Sequence, residues 1–146
     1  MLTLMVIMAA FTLGSCTDDD QDTAYYLAGA WQGQINDGNE TYNVHMYFNQ
    51  DNWTDTYGTG WESDNGWYSS SQAPFHWRVI DGYIHIVYDD GSQMHVVLSD
   101  APMDRHDNYM NGSIVDYYSG QTVARFWLRQ TMGNSKKQNV NITNFE

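Results

Sequence analysis

Only one of the 146 residues is a cysteine and only two are prolines. A single thiol excludes an internal disulfide. Positive charge is scarce as well. Lys and Arg number 6 against 18 Asp and Glu, for a formal charge of -12. Such a chain repels phosphate backbones, which excludes nucleic acid as a partner. No window of a dozen residues carries an apolar stripe of helical period; at most Asp22–Leu27 makes a short helical turn. Also missing are a Gly-rich phosphate loop, Cys-X-X-Cys, His-Glu-X-X-His and Gly-X-Ser-X-Gly. The motif record therefore predicts no cofactor and no catalytic residue. What the chain has in quantity is aromatic residues, 15% of the total, with 6 Trp and 11 Tyr. That content argues against disorder, and the length suits one domain.

Met1–Leu13 is an apolar run too short to span a bilayer permanently and suited to a signal-peptide core. It ends in Leu13-Gly14-Ser15-Cys16, an aliphatic residue, two small ones and a Cys, which resembles a bacterial lipobox. The resemblance implies cleavage after residue 15 and lipidation of Cys16, the only thiol. Membrane contact is then through a lipid anchor only. Four of the six residues Thr17–Asp22 are carboxylates. Such a run is read as solvated linker, so residues 16–26 are expected to be a flexible acidic segment. It also resembles the acidic tract of lipoproteins sent to the cell surface, which implies an outer-membrane location facing outward rather than into the periplasm. Asp22-Thr23-Ala24 resembles an O-glycan acceptor triplet, making Thr23 a candidate for modification.

From Gly29 the apolar spacing has period two. Tyr42, Val44, Met46 and Phe48 alternate with polar neighbours, as do Phe75, Trp77 and Val79, then Ile84, Ile86 and Tyr88, then Ala124, Phe126 and Leu128. This alternation predicts half-buried strands, at about 29–36, 40–49, 53–61, 73–80, 83–88, 93–99, 109–117 and 121–130. Asp37-Gly38, Asp81-Gly82, Asp90-Gly91 and Ser119-Gly120 supply turn residues; Asn111-Gly112 is a turn or an in-strand bulge. A hairpin at Asp81-Gly82 places Phe75, Trp77, Val79, Ile84, Ile86 and Tyr88 on one wall. A two-residue turn at Asp90-Gly91 would then turn His95 inward. Met94, Val96 and Leu98 are the better core set, so an odd loop or bulge is expected at Asp89–Ser92. Eight sequential strands with short connections predict an all-β, up-and-down antiparallel barrel over residues 27–130, with a two-sheet sandwich as the alternative. Trp61–Ala73 should be a loop at one end, and residues 131–146 a loose tail.

Gly29-Ala30-Trp31, the segment Phe75–Ile86 and the closing Phe126-Trp127-Leu128-Arg129 resemble the small lipocalin-like lipoproteins of Bacteroidetes. The resemblance covers roughly Leu27–Gln130. It implies that Trp31 closes the barrel floor under a cation from the last strand, best matched by Arg129, with Arg125 as the alternative. A monomer is expected.

The ligand candidates are Trp53, Tyr57, Trp61, Trp67 and Tyr68, aromatic rings interleaved with Asp, Asn, Thr, Ser and Gly. Rings cover apolar faces while amides and carboxylates meet hydroxyls, a chemistry suited to a small apolar or amphipathic ligand or a glycan. The competing reading makes Trp53 and Tyr57 strand core and Trp67 a cap on the barrel. His76 and His85 fall on the outer face of adjacent strands. They read as surface histidines, with a shared metal ion as the alternative. Asp51, Asp55 and Glu62 do not form an evident glycosidase pair. Two functions follow: a lipid-anchored barrel binding a small amphipathic molecule, or a non-catalytic accessory lipoprotein docking to envelope proteins or glycans. An enzyme ranks third.

Overall fold

The computed structural model describes residues 18–64 and 72–133. A helix, α1 (Asp18–Leu27), precedes eight strands: β1 (Gly29–Asn36), β2 (Thr41–Asn49), β3 (Tyr57–Asp64), β4 (Gln72–Ile80), β5 (Tyr83–Tyr88), β6 (His95–Leu98), β7 (Tyr109–Asp116) and β8 (Thr122–Gly133). Each strand pairs antiparallel with the next, and β8 returns to β1, closing an up-and-down barrel. The β1–β8 ladder rules out the two-sheet sandwich, because no sheet edge is left open.

The turn chemistry acts where expected. Asp81 and Gly82 both take positive φ, 51° and 79°, as a two-residue hairpin of mirror type requires. That turn pairs Phe75 with Tyr88, Trp77 with Ile86 and Val79 with Ile84, the predicted wall. Tyr88 N–H then bonds Met94 O, so five residues loop out between them, and Gln93 takes φ 56°. The odd loop reverses the parity, setting Val96 opposite Ile86 and Leu98 opposite Ile84 inside the barrel. Met94 is exposed instead, since it precedes the strand.

Several expectations need correction. The third strand is Tyr57–Asp64, not 53–61. The Gln50 amide donates to Asp55 O at 2.8 Å and Asp55 N–H bonds Asn52 O, which holds residues 51–56 in a turn. The strand's register follows from two glycines. Gly60 pairs with Phe75 and Gly58 with Trp77, all facing inward. A Cβ on Gly60 would lie 2.4 Å from the Phe75 ring, and one on Gly58 2.9 Å from Trp77 Nε1. Small residues here make room for large rings there. Secondly, the sheet irregularities fall between Ala30 and Trp31 and between Ile114 and Val115, not at Asn111-Gly112, and β8 continues to Gly133, three residues into the expected tail.

Thirdly, the acidic segment is not all linker. Residues 18–26 belong to α1, whose Ala24 and Leu27 are fully buried in the core. Asp20 is buried too. Its carboxylate accepts the N–H groups of Asp81 (3.0 Å) and Gly82 (2.7 Å), tying the helix to the β4–β5 turn. The carboxylate supplies partners to two turn donors, so an acidic run that reads as solvent-facing packs at one position. Thr23 is buried on the same helix, with 6% of its surface exposed.

At this end Trp31 is fully buried, and its Nε1 donates to Leu27 O at 2.7 Å. The last strand closes over it with Gln130, not Arg129. Gln130 pairs with Trp31, and its amide donates to Tyr26 O (3.1 Å) and Ala28 O (3.3 Å). Arg129 pairs with Gln32 and lies exposed on the outer wall, as does Arg125. Strand parity overrides the implied stack: with Phe126 and Leu128 inward, 129 and 125 must point out. Among the described residues a cation–π contact is made elsewhere, by Arg78 over Tyr57 at 5.7 Å.

Candidate functional site

Side chains fill the lower barrel. Trp31, Phe48, Phe75, Ile84, Ile86, Met110 and Leu128 are buried to within 2% of full cover. Rings tile the centre: Phe48 lies 5.3 Å from Phe75 and 6.0 Å from Trp77, centroid to centroid, in tilted and edge-on geometries. The Trp77 indole donates to Thr59 O (3.0 Å) and Asn49 O (3.2 Å), so no polar atom of that ring is stranded.

The upper layer differs. It is reached from the end that carries the β1–β2, β5–β6 and β7–β8 turns, opposite α1. There the lumen keeps a cavity of about 330 Å³. Ile35, Val96, Ile114 and Ala124 supply apolar walls, and Tyr42, Glu62, Asp64 and Tyr88 supply polar groups. All eight come from positions that parity turns inward. Glu62 pairs with Met46 on one side and Ala73 on the other, two further inward positions. The Tyr88 hydroxyl donates to Glu62 Oε2 in a short contact, and the Tyr88 ring packs edge-on against Phe75 at 5.9 Å.

Burial dominates the electrostatics here. It pushes the Glu62 carboxyl up to about 7; the Tyr88 hydrogen bond pulls the other way, and Asp64 adds a further upward push. Tyr88 is raised well above the ordinary phenol value, first by burial and then by the Glu62 charge. Tyr42 is raised by burial and by the carboxylates around it. The mouth therefore holds an acid poised near neutrality above an apolar floor. Glu62 and Asp64 are second neighbours on one strand, and both line the cavity. Asp51 and Asp55 lie in the turn at the opposite end of the barrel.

The aromatic candidates are dispersed. Trp53 is 64% exposed in the turn at the helix end, and Tyr57 is 52% exposed on the outer wall. Trp61 is also outside, stacked on Tyr47 at 6.1 Å. Neither core filling nor a common lumen site describes these three. The inward glycines at 58 and 60 turn the odd-numbered residues of β3 outward. Trp67, Tyr68 and Cys16 lie outside the described residues. Ala73 and Asp64, the nearest described neighbours of Trp67 and Tyr68 to reach a cavity, line the mouth. His76 pairs with Asp89, and His85 meets His95 rather than His76.

The sequence pattern marks Tyr42 and Tyr88 only as strand residues and puts Asp64 in a loop. The signal that finds them is parity: once Gly60 and Phe75 face inward, Glu62, Asp64 and Tyr88 must as well. Among the described residues no group of three or more His, Cys, Asp or Glu is placed to hold a metal ion. No protein-family model, curated protein or solved structure matches the chain.

Proposed function

We propose that the chain is a lipid-anchored envelope protein whose lipocalin-like barrel binds a small amphipathic molecule at its mouth. One observation carries the reading: the barrel is packed solid below, yet its top inward layer is left open around a half-buried acid. A core that packs to full density elsewhere could have placed one large side chain there. A cavity of about 330 Å³ lies at the small end of ligand pockets, and few convergent polar groups in an apolar cup are their usual lining. The apolar part of the ligand lies on Ile35, Val96, Ile114 and Ala124. Its polar head, a hydroxyl or an amine, donates to Glu62, which Tyr88 orients. Trp67 and Tyr68, between β3 and β4, are the gate residues in this proposal. Cys16 carries the lipid that holds the barrel at the outer membrane, facing the cell surface.

The test is native mass spectrometry of the chain purified from its host envelope. A bound small molecule should accompany the parent chain and be lost from Glu62→Gln and Tyr88→Phe, which remain folded. A parent chain that carries nothing, and whose melting does not respond to long-chain amines or alcohols, overturns the reading. In that case the second reading gains: an accessory lipoprotein docking through its outer wall. The exposed stacked pair Tyr109 and Trp127, 6.3 Å apart, favours it.

A further inference from the structure

The outer wall of the barrel carries a second polar cluster, on the face of the sheet opposite the one that lines the mouth. His85 on β5 and His95 on β6 are diagonal neighbours, since His85 pairs with Val97 and His95 with Val87. Their rings converge until His85 Nδ1 stands 3.1 Å from His95 Nε2. Tyr117 holds both: it stacks on His95 at 4.0 Å and 17° and meets the edge of His85 at 5.8 Å. The two rings are half-buried and open onto a groove of about 330 Å³ that Tyr57, His76, Arg78 and Val87 also line.

We infer that His85 and His95 form a surface site for a divalent transition-metal ion of the Cu²⁺, Ni²⁺ or Zn²⁺ class, with water completing the coordination. Two imidazole nitrogens 3.1 Å apart, each about 2.0–2.1 Å from a metal, subtend about 100° at it, between the square-planar and tetrahedral angles. The ion takes the place of the hydrogen bond between the two nitrogens: the donor ring's proton moves to its other nitrogen, and a modest turn of each ring aims both lone pairs at the metal. Both strands are hydrogen-bonded on either side, so the pair is held before the metal arrives and little ordering is needed to bind it. Arg78 pairs with His85, but its guanidinium is drawn toward β3, over Tyr57. Asp116, whose charge acts on His95, and the acidic chain as a whole favour a cation. Cu²⁺ should bind most tightly, following the usual order for nitrogen sites.

The experiment titrates Cu²⁺ into the full chain carrying Cys16→Ser, which removes the one competing thiol. Electron paramagnetic resonance should show one bound ion per chain with coupling to two nitrogens. His85→Asn and His95→Asn should each weaken binding at least about tenfold, the loss that even an outer-shell change brings. His76→Asn should bind as the parent does. Imidazole nitrogen shifts of the chain with Zn²⁺, measured without touching either histidine, should move at His85 and His95 alone. If binding survives both His85→Asn and His95→Asn, or if the shifts fall on His45, His76 or His106, the site is not this pair. These results do not depend on the mouth, whose ligand should bind equally well to His95→Asn.

Discussion

The two ends of the barrel are built from the same alternating strands and do opposite things with them. At the helix end every inward position is apolar or has its polar atom paired within the chain. Trp31 donates to Leu27, Gln130 bonds Tyr26 and Ala28, and Asp20 covers two turn donors. At the mouth the inward positions are Tyr42, Glu62, Asp64 and Tyr88, and the space between them is not filled. One end is organised for stability and the other is stabilised by it. A half-buried acid whose proton affinity is raised opposes folding above neutral pH, and only a well-packed floor makes that tolerable.

Four substitutions would break or sharpen this contrast. Trp31→Ala should have the largest effect, a loss of about 3–5 kcal/mol in denaturant unfolding, as for other buried aromatic truncations. A change below 1 kcal/mol would show that the helix end is not the stabilising one. Asp20→Ala leaves the Asp81 and Gly82 N–H donors without their carboxylate partner, so it should cost about 1–3 kcal/mol by the same measurement. A result near zero would return this part of the acidic segment to plain linker.

Glu62→Gln should act in the opposite direction, and only at higher pH. The folded carboxyl has its proton affinity raised to about 7, against an ordinary value of 4.5. Between those two values the folded state keeps a proton that the unfolded state has released. Stability of the parent therefore falls as pH rises through this window and is level above it. The Gln variant should lack that slope and exceed the parent by on the order of 1–3 kcal/mol at pH 8, with little difference at pH 4. Melting curves across pH 4–8 decide it, and parallel curves would mean Glu62 is solvated. The smallest effect belongs to Arg129→Ala, which should fall within about 0.5 kcal/mol in thermal melts, because the side chain lies on the outer wall. A loss of several kcal/mol would restore its role as the closing residue.

Most of the scaffold was legible in the chain. Period-two alternation is a local property, and Phe75 to Tyr88 folds onto one wall because Asp81-Gly82 fits one kind of turn. Even the odd loop before Val96 followed from parity. The candidate site was harder to see. Trp53, Tyr57 and Trp61 drew attention as a cluster, yet nearness in sequence is not nearness on a face. Their strand starts four residues later than its composition suggests. The acid that lines the mouth was noticed without a partner, since Tyr88 lies 26 residues away.

By itself the sequence determined the fold class, the number of strands, the turns at Gly38, Gly82, Gly91 and Gly120, and the acidic composition, because each depends on contacts within a few residues or on composition. The tertiary structure alone decided which residues meet. Gly58 and Gly60 admit the rings of Trp77 and Phe75, and that fit in volume sets the register of β3 and turns Glu62 inward. Closure of β8 on β1 puts Gln130, not Arg129, over Trp31. The burial of Asp20 depends on a turn 61 residues away. Each of these is a match of shape or hydrogen bonding between distant segments, and no local pattern encodes it.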